Sequence, residues 1–396
     1  MTTKQTETRK IPQLSTSNRK RRQFLGFTAL LTLGSLSGNR ALAASSSSSS
    51  SSVPAQDVDE LFGGSRYQTA IDAPPQFAIV RAQPATGKAQ WSSADFLLHG
   101  WAMHPHNPTQ AFFFEKEGPG AALFDLQSLD KLETIAPHGK RRFYGHGTVA
   151  RKGQWLLSTE SESNGRGAIG IRDTKTLRYL GEFPSYGHNP HDCHLIDEGR
   201  TLVVSNGGGS TEEDEAPNVA YIDVASQRLL HRHRMPDKRF NTGHLAPFSL
   251  NQAVVVSAPR RGLGADHLGS VSFCDKKNPD LTLWNAPASL HPPLLGEALS
   301  VLALPSHNLV VVSHPTPGWV TMWRLDSGQF LRALEAPSAR GLALARDGRR
   351  IWVSYSFQAQ MTLGQFAFLE EDSTIQPVIL QSGLAGSHIL NYPLNG

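Results

Sequence analysis

His146-Gly147-Thr148-Val149-Ala150-Arg151-Lys152-Gly153-Gln154-Trp155-Leu156-Leu157-Ser158 sets out a phrase that the rest of the chain repeats. A histidine opens a short apolar segment, a glycine turn follows, and a hydrophobic run ends on a hydroxyl residue. The phrase returns from His191 to Ser205 through Leu202-Val203-Val204, and from His244 to Ser257 through Val254-Val255-Val256. Ser300 to Ser313 and Arg340 to Ser354 repeat it without the histidine. His99 to Glu115, through Phe112-Phe113-Phe114, is the first copy, and His388-Ile389-Leu390 is a truncated last one. The openers at 99, 146, 191, 244, 300, 340 and 388 are 47, 45, 53, 56, 40 and 48 residues apart.

A second phrase follows five of these copies: alternating apolar residues closed by an acid and a turn, as in Leu123-Phe124-Asp125, Ile171-Arg172-Asp173 and Tyr221-Ile222-Asp223. Short period-two runs bounded by turn residues are strands. Units of this length with four short strands are propeller blades. The sequence therefore predicts an all-β, seven-bladed β-propeller over 66–396. Too little chain follows His388 for a whole blade. The missing strands are expected at the front, at Tyr67–Ile71, Phe77–Arg81 and Gln90–Ser92, so that N- and C-terminal strands pair and no sheet edge stays open.

The N-terminal segment reads as an address. Arg21-Arg22-Gln23-Phe24-Leu25 opens an apolar run to Gly38, followed by Ala41-Leu42-Ala43, a small-x-small cleavage pattern. Twin arginines before Phe-Leu mark the twin-arginine export route. Residues 1–43 are expected to be a signal peptide and 44–65, with eight consecutive serines, a flexible linker. The expected location is the periplasm, with no membrane span in the mature form. There Cys193 and Cys274 either pair or stay free. The net charge of +4 belongs to this leader. Without its eight bases and one acid, 30 basic and 33 acidic residues remain, a net of −3. Nucleic acid is thereby excluded as a partner on electrostatic grounds.

Sixteen histidines are the one compositional sign of chemistry. In a propeller the first strand of each blade lines the central channel, so residues that open those strands converge. Five of the seven openers are histidine: His99, His146, His191, His244 and His388. Imidazoles from several strands can meet a transition metal at about 2.0–2.1 Å. They are the candidate ligands, with His104 as a further ligand or an orienting group. Single histidines of this kind also serve to bridge neighbouring blades, so structural roles stay open. On β alternation His191 and Cys193 would share a face and His194 the other. His106 and His188 are expected in loops, and His231, His233, His267, His291, His307 and His314 at the surface or in loops. The acids Glu212-Glu213-Asp214-Glu215 lack calcium-ligand spacing. Gly207-Gly208-Gly209 is not followed by Lys-Ser/Thr, so no phosphate loop is present.

With these motifs placed, the chain resembles the bacterial exported propeller family catalogued as domain of unknown function 1513, itself similar in fold to YVTN-type seven-bladed propellers. Phe143-Tyr144-Gly145-His146-Gly147 and Gly243-His244-Leu245-Ala246 match its motifs. His99-Gly100-Trp101-Ala102-Met103-His104-Pro105, Asn189-Pro190-His191-Asp192 and Ser387-His388-Ile389 are similar to others. The chain departs where the family's first glycine-histidine becomes Leu98-His99 and where Cys193-His194 intervenes before Leu195. The resemblance implies periplasmic iron handling, with imelysin-like iron-uptake proteins as partners. The expected function is non-enzymatic binding of a transition metal, iron first and copper second, for metal acquisition. A redox metalloenzyme and an interaction scaffold with structural histidines are the alternatives.

Overall fold

The computed structural model describes residues 58–68, 72–210 and 215–392. The leader, the serine tract and Glu212, Glu213 and Asp214 lie outside the described residues. Within them, seven four-stranded antiparallel sheets are present, and their leading strands pack one against the next around an axis. This is the seven-bladed propeller. The leading strands are Leu98–Met103, Arg142–Ala150, Pro190–Ile196, Leu245–Ser249, Val301–Leu304, Leu342–Leu344 and Ile389–Asn391. Among the described residues no helix is long and apolar enough to cross a membrane.

The hydrophobic runs of the repeat are the second strands. Ala111–Phe114, Leu202–Val204, Ala253–Val256 and Val310–Val312 are all buried. Each such strand is covered on both faces by neighbouring blades, so it reads as a continuous apolar run rather than an alternation. The core is therefore divided into seven clusters, mostly spanning adjacent sheets. Removing a ring such as Phe113, inside the cluster with Ile79 and Phe124, would cost about 3–5 kcal/mol.

Both phrases of the repeat have a physical reason. The acid of the second phrase makes a turn: Asp125 Oδ1 accepts from the backbone of Gln127 and Ser128 at 2.8 and 2.9 Å, and Asp173 Oδ1 from Thr176 at 2.8 Å. Such Asx turns satisfy the backbone while the chain reverses. The hydroxyl near the end of the second strand stitches blades together. Thr159 Oγ1 accepts from His146 N (3.2 Å) and contacts His191 O in the next blade (3.3 Å). Ser205 Oγ accepts from Asp192 N and donates to Gly243 O. Ser313 Oγ accepts from Ser300 N and donates to Arg340 O. These buried bonds run around the ring and hold the leading strands in register.

The last sheet combines Leu61–Tyr67, Gln76–Gln83 and Lys88–Ala94 with Ile389–Asn391. Leu61 pairs with Asn391 and Gly63 with Ile389. The first of these strands lies earlier than the expected Tyr67–Ile71 and takes residues from the stretch 44–65 expected as linker. Gly63 and Gly64 interrupt the apolar pattern there, which hides the strand. Gly64 is needed because a Cβ on it would stand 2.3 Å from the Leu98 carbonyl oxygen.

Candidate metal centre

Five strand openers bring their rings to one point on the axis. Ring centroids of His99 lie 5.0 to 5.3 Å from those of His146, His191, His244 and His388, and His244 and His388 are 4.1 Å apart. Three of them sit at irregularities in their strands. Register shifts fall between Leu98 and Gly100, between Phe143 and Gly147, and between Pro190 and Cys193. A β-bulge leaves a residue unpaired and re-aims its side chain, and here it turns His99, His146 and His191 toward the axis. His244 and His388 immediately precede their strands. Two glycines make the crowding possible. A Cβ on Gly100 would meet Gly145 O at 2.4 Å and His146 Nδ1 at 2.6 Å. Gly145 holds φ of +125°, and its absent Cβ would face His99 and His191.

The outer nitrogens fix the inner ones. His191 Nδ1 lies 3.0 Å from Tyr144 O and His244 Nδ1 2.7 Å from Leu299 O. A carbonyl oxygen only accepts, so both Nδ1 atoms carry the proton and both Nε2 atoms present lone pairs. Those two Nε2 atoms stand 2.8 Å apart, and His99 Nε2 lies 3.3 and 3.2 Å from them. His146 Nδ1 donates to Asp192 Oδ1 at 3.1 Å, leaving its Nε2 buried without a hydrogen-bond partner, as is Nε2 of His388. Burial, the largest effect, pushes the pKa of His99, His191, His244 and His388 well below the usual imidazole value, with Asp192 opposing at His191 and His388. Burial likewise takes His146 down to about 4 against the opposing pull of Asp192. All five rings are neutral at pH 7.

The facing lone pairs of His191 and His244 can be bridged by a cation. An ion with ligands at 2.0–2.1 Å has ligand–ligand edges of about 2.9–3.4 Å, close to the triangle of His99, His191 and His244. His99, His146, His244 and His388 form an overlapping group whose ligand atoms lie within 4.8 Å of one another. That spread exceeds the roughly 4.2 Å that can separate two ligands of one such ion, so the triangle is the tighter coordination face. His146 and His388 flank it with unpartnered nitrogens. The residues fit a transition-metal ion: the donors are neutral imidazoles, which suit Zn, Cu, Fe and Ni.

Asp192 is the buried carboxylate beside the centre. Besides His146 it accepts from Cys193 N (2.8 Å) and Leu245 N (3.0 Å), and it pairs with His194 Nε2 at 3.2 Å. Burial opposes its ionisation, but His146 and His194 hold its pKa well below the usual carboxylate range. A carboxylate behind a metal-binding imidazole fixes its tautomer and raises its basicity.

Several sequence expectations need correction. His104 is not at the centre. It follows the strand Leu98–Met103, beside Phe112 and His106, because five residues of extended chain cover about 16 Å. The bulge between Pro190 and Cys193 breaks the alternation: His191 turns to the axis while Cys193 packs with Ala150 and Leu202. Cys193 and Cys274 are both buried and free. His188 ends the strand Tyr179–His188, while His231 and His233 lie on Leu229–Arg234. His233 and His314 are buried rather than exposed. Asp192 and Gly145, inside the motifs around His191 and His146, belong to the centre although the histidine repeat does not mark them.

The family model described as Protein of unknown function (DUF1513) matches residues 97–377. Among proteins of curated function none matches in sequence. A solved structure of a hypothetical selenium-binding protein from Sulfolobus tokodaii is similar, with TM-score 0.61, 12% identity, and 86% of this chain and 92% of that chain covered. A chain of a mitotic checkpoint complex gives TM-score 0.52 and 13% identity over 70% and 76%. At these identities the likeness is one of fold.

Proposed function

The chain belongs to the DUF1513 family, and from that membership and the histidine centre we propose that it is a metal-binding propeller of the periplasm. It holds one transition-metal ion where five blades converge, for acquisition or delivery rather than turnover. The observation that carries this reading is the 2.8 Å approach of two Nε2 lone pairs, His191 and His244. Two neutral acceptors at that distance repel unless a cation joins them. A purely structural role would pair both nitrogens of each buried ring, whereas His146 and His388 keep an unpartnered Nε2.

Iron is the metal that the family resemblance favours. Copper is the metal that the donor set favours, since affinity at nitrogen sites peaks at copper. Selenium binding, which the Sulfolobus protein's name records, has less support here. The two thiols lie away from the centre, and burial raises the pKa of Cys193 far above the ordinary thiol value. The twin-arginine leader fits a protein that crosses the membrane folded and loaded. Imelysin-like iron-uptake proteins are the proposed partners.

Elemental analysis of the protein exported through its own leader tests this reading. About one equivalent of iron or copper per chain is expected. Absence of iron, copper, zinc and nickel, with no uptake of any of them on dialysis, would refute it.

A further inference from the structure

Against the histidine centre lies a cavity of about 120 Å³ with His191 and His244 in its wall and Gly207, Asn241 and Thr242 around it. The cavity is also lined by Lys116, Arg261, Tyr144 and Glu297. Glu117 is shared between two guanidinium groups, Arg142 at 3.2 Å and Arg261 at 3.1 Å. Lys116 forms no ion pair among the described residues, so these groups carry an excess of positive charge even with Glu297 counted. The Tyr144 phenol offers a hydroxyl hydrogen-bond donor.

We propose that this cavity binds a small carboxylate or oxyanion, of the size of acetate or oxalate, beside the metal, its charge met by Lys116 and Arg261 and an oxygen held by the Tyr144 hydroxyl. The proposal rests on the metal reading for its setting. The anion balances the positive charge that a metal adds among neutral imidazoles, and it lies next to the two imidazoles that bracket the ion. Cation and anion then raise each other's affinity by the same factor, as linkage requires.

Titration calorimetry with oxalate, on metal-free and copper-loaded protein, tests this, with acetamide as the uncharged control. Oxalate is expected to bind the copper-loaded form more tightly than the metal-free form. Lys116→Gln and Arg261→Gln should each weaken it about tenfold with copper content unchanged, and Tyr144→Phe should weaken it a few-fold. Wild-type oxalate affinity in both charge variants would overturn the proposal. So would acetamide binding equal to oxalate, or no oxalate binding to either form. Copper content, measured separately, reports on the metal reading. If the wild-type protein takes up no metal, oxalate binding to the metal-free form that depends on Lys116 and Arg261 would still support an anion site, and its absence would end it.

Discussion

His146 Nδ1 stands 3.1 Å from Asp192 Oδ1, and that contact both sets the tautomer of the ring and places a buried negative charge behind the centre. Replacing Asp192 with Asn removes the charge and gives one side of the group a donor where Leu245 N and His194 now need an acceptor. Metal affinity of Asp192→Asn should fall about 10–100-fold in a chelator competition. Unchanged affinity would mean that His146 does not bind the ion.

Gly145→Ala should disturb the centre more than the fold. Its φ of +125° strains any side chain, and the added Cβ would lie 3.0 Å from His99 Cδ2 and 3.1 Å from His191 Cε1. Backbone strain of about 1–3 kcal/mol is expected. The electron paramagnetic resonance of the copper-loaded variant should change or vanish while its circular dichroism stays native. A wild-type spectrum would place the ion away from His99 and His191.

Acid should destabilise the metal-free protein. The folded state holds its buried histidines below the ordinary value near 6.5, His146 at about 4 through burial. Between those two values the unfolded chain binds more protons than the folded one, so stability is complete above about 6.5 and is lost as pH falls toward 4. His146 alone contributes about 2 kcal/mol of loss at pH 5. Urea melts at pH 7 and pH 5 should show a lower midpoint at pH 5. Equal midpoints would mean that these rings are not buried neutral.

The ring's two ends meet at Asp59. Its carboxylate accepts from Trp352 Nε1 at 2.9 Å, Arg346 N at 2.8 Å and Asn391 Nδ2 at 2.6 Å. Asp59→Ala leaves buried donors without partners and should cost roughly 2–4 kcal/mol, read by denaturation of the whole chain. A loss below about 1 kcal/mol would show that closure does not depend on this residue.

The architecture was legible because each repeat states its own strands. Runs such as Val254-Val255-Val256 mark the buried second strand, and Asp125, Asp173 and Asp223 mark the turn after the third. The closing blade was partly hidden, since Gly63 and Gly64 carry no apolar signal while the space beside Leu98 demands a glycine at 64. The convergence of His99, His146, His191, His244 and His388 followed from their equivalent places in the repeat. His104 was misplaced because nearness in sequence along a strand is distance in space. Asp192 carries no local signal because its role depends on His146 in the preceding blade, a neighbour that no local pattern announces. Lys116 and Tyr144 come together only when separate blades are assembled.

X-ray absorption at the edge of the bound metal reports directly on whether one ion is shared by imidazoles from several blades. A nitrogen shell at about 2.0–2.1 Å, with the outer-shell scattering of at least three imidazole rings, is the predicted result. A shell built from sulfur or from oxygen alone, or one containing a single imidazole, would show that the histidines on the propeller axis do not hold the ion.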